Sequence, residues 1–163
     1  MGTSVETFRM PRYHEIPDVG LYLDQTVKYI NRYLAPLGCM EITASMVSNY
    51  VKRGYIANPT RKQYDKEQIA YLFFIAIAKS VLPMEHINRL FMMQKHTYSS
   101  EVAYNYFCVE LENTLRYIFD LAEDPEDSGT TDTLAKTMLR STIIAVAHII
   151  YLNSQFDQLD EQD

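Results

Sequence analysis

Cysteine, glycine and proline are all scarce in this 163-residue chain, with 2, 5 and 6 copies, and each shortage closes off a class of explanation. Cys39 and Cys108 lie far apart, with no Cys-x-x-Cys spacing and no further cysteine to complete a metal site, so neither a disulfide framework nor a zinc module is expected. So few glycines and prolines argue against a fibrous or disordered chain. Long apolar runs are missing too. The longest, Ile143–Ile150, is interrupted by His148 and falls far short of the ~20 residues of a membrane span. Met1–Arg12 has no charged-then-apolar leader. A reduced, cytoplasmic protein without a membrane segment is the expectation.

Catalytic signatures are equally absent. There is no glycine-rich phosphate loop, no Gly-x-Ser-x-Gly and no pair of carboxylates in an apolar setting. His14, His86, His96 and His148 are scattered, with no carboxylate or cysteine at ligand spacing. No catalytic residue, metal ligand or cofactor is expected, and hence no enzyme.

What the chain does have is enough length to bury roughly two thirds of its unfolded surface, 47% apolar residues, and an uneven charge. Residues 1–98 carry 12 Lys and Arg against 8 Asp and Glu, whereas residues 99–163 carry 3 against 13. A basic half suits a polyanion, and an acidic half faces solvent or another partner.

Periodicity predicts helices throughout. Residues 1–17, with Pro11 and Pro17, lack a helical period and are expected to form an irregular arm. From Leu21 to Leu34 apolar residues recur every three or four positions, until Pro36 and Gly38 stop the helix. A short helix starts at Thr43, buries Met46, Val47, Tyr50 and Val51, and ends at Gly54, where a left-handed residue belongs and Tyr55 can close a Schellman cap. Asp65 and Gln68 form a capping box for a third helix that is apolar almost all round. Pro83 opens a fourth, ending near Gln94. Segments 99–122 and 132–154 are long amphipathic helices either side of the acidic turn Glu123–Gly129, and read as an antiparallel hairpin. Strands are expected only in a short wing around 56–64.

The most specific chemistry lies in residues 43–66. The open face of the short helix (43–53) offers Thr43, Ser45, Ser48, Asn49, Lys52 and Arg53. The adjoining wing (57–64) and its flank add Arg61, Lys62, Tyr64 and Lys66. Asn reads adenine and Ser accepts either base type in the major groove. Five cations within fifteen positions, opposed only by Asp65, suit phosphates. The aromatic residues of the C-terminal half, Tyr98, Tyr104, Tyr106, Phe107, Tyr117, Phe119 and Tyr151, with Met92, Met93 and Met138, fit helical core better than an effector pocket.

Ser45–Leu90 resembles the DNA-binding domain of MerR-type regulators, with Tyr50, Gly54, Ile56, Pro59, Lys62, Tyr64, Ile69, Leu72, Ile75, Leu82, Ile87 and Leu90 at matching positions. It departs where that family's Thr-Leu-Arg is Met46-Val47-Ser48, and where its Gly-Tyr-Arg is Thr60-Arg61-Lys62. A longer resemblance, through Pro11-Arg12-Tyr13, Pro17-Asp18, Leu21-Tyr22, Asp24-Gln25, Ile42-Thr43, Ser45-Met46-Val47, Asn49-Tyr50-Val51-Lys52, Pro59, Lys62, Tyr64 and Lys79-Ser80-Val81-Leu82, is to a bacterial family known as domain of unknown function 1836.

Together these readings imply an all-α protein: an N-terminal arm (1–17), a MerR-like winged helix-turn-helix (18–94), a helical hairpin (98–156) that dimerises or receives a signal, and an acidic tail (157–163). The function implied is a sequence-specific transcriptional regulator binding double-stranded DNA as a homodimer, with a small-molecule effector conceivable. A protein–protein adaptor that keeps the helix-turn-helix only as a scaffold is the alternative.

Overall fold

The computed structural model describes residues 3–123 and 133–162. The chain is mostly helical: α1 (Thr3–Glu6), β1 (Leu21–Tyr22), α2 (Leu23–Leu34), α3 (Ala44–Lys52), β2 (Gln63–Tyr64), α4 (Lys66–Ala78), α5 (Met84–Lys95), α6 (Ser100–Ile118) and α7 (Leu134–Gln162). Several helix starts are set by side-chain caps, of which the Asp65–Gln68 box was expected. Asp65 and Gln68 cap α4 reciprocally, each bond 2.8 Å. Ser99 accepts the Val102 N–H at the start of α6, and Thr133 accepts that of Lys136 at the start of α7. Pro83 stands just outside α5, at its N-cap rather than inside its first turn.

α4 forms the centre. Nine of its residues, from Ile69 to Ala78, are buried, as an all-round apolar helix must be. One continuous set of buried side chains surrounds it, drawing on α1, α2, α3, α5, α6 and α7, from Val5 to Ile150.

Three expectations need correction. The helix predicted from Leu21 begins two residues later, because Leu21 and Tyr22 pair antiparallel with Tyr64 and Gln63. The strand in the wing thus finds its partner outside the wing. Gly20 turns the chain into this pairing at φ +78°, with a Cβ site only 3.0 Å from the Gln63 side chain.

Residues 1–17, expected as an irregular arm, include the short helix α1 and are packed against the body where described. Val5, Phe8, Met10 and Ile16 are buried, and the stretch is bolted to α6. The Arg12 guanidinium meets the Glu112 carboxylate in a two-pronged pair of 2.7 and 2.8 Å. Glu112 also accepts the Met10 N–H at 2.9 Å, the Tyr104 hydroxyl donates to the Pro11 carbonyl at 2.7 Å, and Asn105 accepts the Tyr13 N–H. These hydrogen bonds satisfy the backbone of a segment with no regular partner.

The antiparallel hairpin is not what α6 and α7 form. Early residues of α6 meet early residues of α7: the Lys136 ammonium sits 4.9 Å over the Tyr106 ring, and Arg140 donates to the Tyr106 hydroxyl. Late residues meet late ones, with the Phe119 and Tyr151 rings 5.3 Å apart. The two helices therefore run parallel. The connection from 119 to 133 is long enough for this, since fifteen extended residues reach about 50 Å and the nineteen of α6 rise only about 28 Å. The acidic turn Glu123–Gly129 falls mostly outside the described residues. Of the described helices, only α7 is long and apolar enough to cross a membrane by length and composition. Its buried stripe, with Leu139, Ile143, Val146 and Ile150, instead packs against α4, α5 and α6. The acidic residues Asp157, Asp160 and Glu161 belong to its last turns.

Candidate nucleic-acid interface

The position of α3 is determined at both ends. At its start the Thr43 hydroxyl accepts the Met46 N–H at 3.1 Å. Just before it, Asn31 of α2 clamps Ile42: its Oδ1 accepts the Ile42 N–H at 2.9 Å and its Nδ2 donates to the Ile42 carbonyl at 2.8 Å. At its end Gly54 takes φ +82°. The Tyr55 N–H reaches the Tyr50 carbonyl and the Gly54 N–H reaches that of Val51, which is the Schellman pattern. Nothing lies within 4 Å of a Cβ built at Gly54, so backbone conformation, not space, calls for glycine there. The α2–α3 link, 35–43, contains a 3-10 turn and Gly38 at φ +79°. It is longer than the three or four residues of a common helix-turn-helix.

Val47 is the residue of α3 that points fully inward, with Tyr50 and Val51 half-buried. Met46, assigned to the buried face from its spacing, is 38% exposed. Thr43, Ser45, Ser48, Asn49, Lys52 and Arg53 are all exposed. They form a polar face with one apolar thioether at its edge. Arg53 lies over the Tyr55 ring at 5.2 Å.

Beyond α3, Thr60–Gln63 makes a tight turn closed by the Gln63 N–H on the Thr60 carbonyl at 2.9 Å. Its two central residues, Arg61 (φ +53°) and Lys62 (φ +64°), are both left-handed. Such a turn favours Asn-Gly, because a Cβ is disfavoured at positive φ. Both side chains are exposed, and among the described residues no carboxylate is in ion-pair reach of Lys52, Arg61 or Lys62.

Two candidates fall away from this surface. Tyr64 is only 4% exposed, and burial pushes its phenol above the ordinary range; it belongs to the core. Lys66 is half-buried, with its ammonium 5.4 Å over the Tyr13 ring. Sequence reasoning missed the residues that hold the surface in place. Asn31 is one, and its signal was a residue that prefers caps and turns standing in mid-helix. Gln68, expected only as a cap, also donates to the Ala57 carbonyl at 2.9 Å, tying α4 to the segment after α3.

No cluster of metal-ligating side chains occurs among the described residues. The aromatic residues mostly pack on one another: Tyr71 stacks on Phe91 at 3.9 Å and Phe74 meets Phe107 edge-on at 5.1 Å. The space beside them is about 50 Å³. A wider cleft of about 810 Å³ lies between α6 and α7, lined in part by Glu110, Tyr117, Ile143, His148 and Tyr151.

A family model described as "Domain of unknown function (DUF1836)" matches residues 11–107, more than half of the chain. The chain belongs to that family. The matched stretch takes in β1 to α5 and the first part of α6, and so includes the whole of the surface just described. No curated protein matches the chain, and no solved structure does.

Proposed function

We propose that this protein is a sequence-specific DNA-binding regulator, with α3 as the helix that enters the major groove and the 60–63 turn as a basic wing in a MerR-like arrangement. One observation carries the reading. Two adjacent cations occupy left-handed positions that cost about 1–3 kcal/mol each, at an exposed turn where an uncharged Asn-Gly pair would be relaxed. A local cost retained at a surface that packs against nothing is accounted for by a partner that needs those charges. Duplex DNA is the polyanion that fits. Thr43, Ser45, Ser48 and Asn49 offer hydrogen-bonding groups at base-edge scale beside Lys52 and Arg53. The same reading implies a cytoplasmic protein. The α6–α7 cleft, at about 810 Å³, offers room for a small-molecule effector.

Selection of bound fragments from genomic DNA, followed by affinity measurement at several salt concentrations, tests the proposal. A recovered site should be bound with log affinity falling against log salt, at a slope of up to about −3.6 per protomer if Lys52, Arg53, Arg61 and Lys62 all touch phosphate. Asn49→Ala should lose about 1–3 kcal/mol on that site and little on random DNA. A protein–protein adaptor built on the same helices would be indifferent to DNA and to both tests.

A further inference from the structure

We infer that α7 is a self-complementary dimerisation helix, pairing antiparallel with α7 of a second copy of this chain about a two-fold axis at the level of residues 146 and 147. The inference stands independently of whether DNA is the ligand. Along the side of α7 turned away from the core runs a narrow exposed stripe of eight residues, from Leu134 to Leu159, spaced by three or four. It contains no charged residue. Its apolar members are well exposed, with Leu134 at 70%, Leu152 at 50%, Phe156 at 61% and Leu159 at 55%.

The residues of this stripe are compatible in size when it is laid antiparallel on itself. Laid antiparallel on itself, it sets Leu134 against Leu159 and Met138 against Phe156, large against large at both ends. In the middle it sets Ser141 against Leu152 and Ala145 against His148, small against large. An isologous interface requires this kind of matching, since whatever one residue meets must in turn meet it. Spacing by three and four is the seam of paired helices.

Charge selects the antiparallel direction. All the acids of α7, Asp157, Asp160 and Glu161, lie in its last turns, and both its cations, Lys136 and Arg140, lie near its start. Parallel pairing would bring six acids together at one end. Antiparallel pairing lays each acidic end beside the partner helix's N-terminal half, where the helix dipole is positive.

Stability points the same way. Beyond Tyr151, which packs edge-on against Phe119, the last eleven residues of α7 are exposed or at most half-buried. A free helix of that length is marginal in water, and a second copy would cover it. Fully covered, the apolar surface exposed along the stripe would bury at most about 1,200 Å² in a pair, the lower edge of the range for stable interfaces.

Sedimentation of the full chain without DNA provides the test. A dimer is expected at high micromolar concentration, and Leu152→Glu, an exposed substitution, should give a monomer with an unchanged helical spectrum. Direction is read in a Cys39→Ser background. Mild oxidation of a mixture of Leu134→Cys and Leu159→Cys chains should link the two variants to each other, and neither variant alone to itself. A monomeric wild-type chain, a dimer that survives Leu152→Glu, or disulfide dimers of Leu134→Cys alone would each overturn the inference.

Discussion

Asn31 holds Ile42 by both of its backbone groups, with bonds of 2.9 and 2.8 Å, and so fixes the last residue but one before α3. This turns a side chain with no access to the exposed face into a determinant of where that face sits. Asn31→Ala should cost about 1–3 kcal/mol, because it leaves a buried N–H and carbonyl without their partner. Urea unfolding measures that cost. DNA affinity should fall as well, but with the salt slope of the unaltered protein, since no phosphate contact has been removed. A changed slope would place Asn31 at the contact surface itself.

The left-handed turn allows stability and binding to be moved in opposite directions. Replacing Arg61 with Asn and Lys62 with Gly should raise the melting temperature, because both new residues accept positive φ. The same pair should weaken binding to every DNA sequence alike and make the log–log salt slope shallower by about 1.8 per protomer. Gains in stability without any loss of binding would show that the cations serve no nucleic acid.

Removing one partner of the Arg12–Glu112 pair should be severe. Glu112 is 5% exposed and would be left buried and uncompensated in Arg12→Ala, a change that typically costs about 3–5 kcal/mol. Arg12 keeps 19% side-chain exposure, which places the expected loss toward the lower figure. Hydrogen bonding to Glu112 holds the Arg12 guanidinium above its ordinary pKa. Arg12→Lys should restore only part of the stability, since an ammonium cannot match the two-pronged contact.

Burial pushes the Cys108 thiol up to about 12, from its ordinary 9.0. Below that ordinary value the thiol is protonated in both folded and unfolded chains and adds no pH dependence. Between it and about 12 only the unfolded chain releases the proton, so stability should fall as pH rises through that window. Tyr71 and Tyr104, also raised by burial, act in the same direction. Cys108→Ala should flatten part of the decline in urea midpoint. At about pH 8 a thiol reagent should modify Cys39 promptly and Cys108 only on unfolding.

Much of the helical framework could be read from residue order. Asp65 and Gln68 announced the start of α4, Gly54 the end of α3, and the unbroken apolar surface of Ile69–Ala78 its central place. Features made by distant partners were hidden. Leu21 and Tyr22 fit the helical spacing of residues 23–34, and only their pairing with Gln63 and Tyr64 draws them into a strand. The arm has no period, because Val5, Phe8 and Met10 are buried by irregular backbone whose hydrogen bonds end on α6. The direction of α7 depends on the path of a fifteen-residue connection, which amphipathic spacing does not encode. The Arg61–Lys62 turn lacks the Asn or Gly that usually marks positive φ, so its conformation had no local signal.

The stretch this chain shares with its family stops at Phe107, part-way along α6. A fragment ended there would part Arg12 from Glu112 and strip α4 and α5 of the helix that packs against both. The shared stretch therefore lacks residues that complete the core of this chain. Any relative limited to that stretch would have to cover the same flank with a different helix or with another chain.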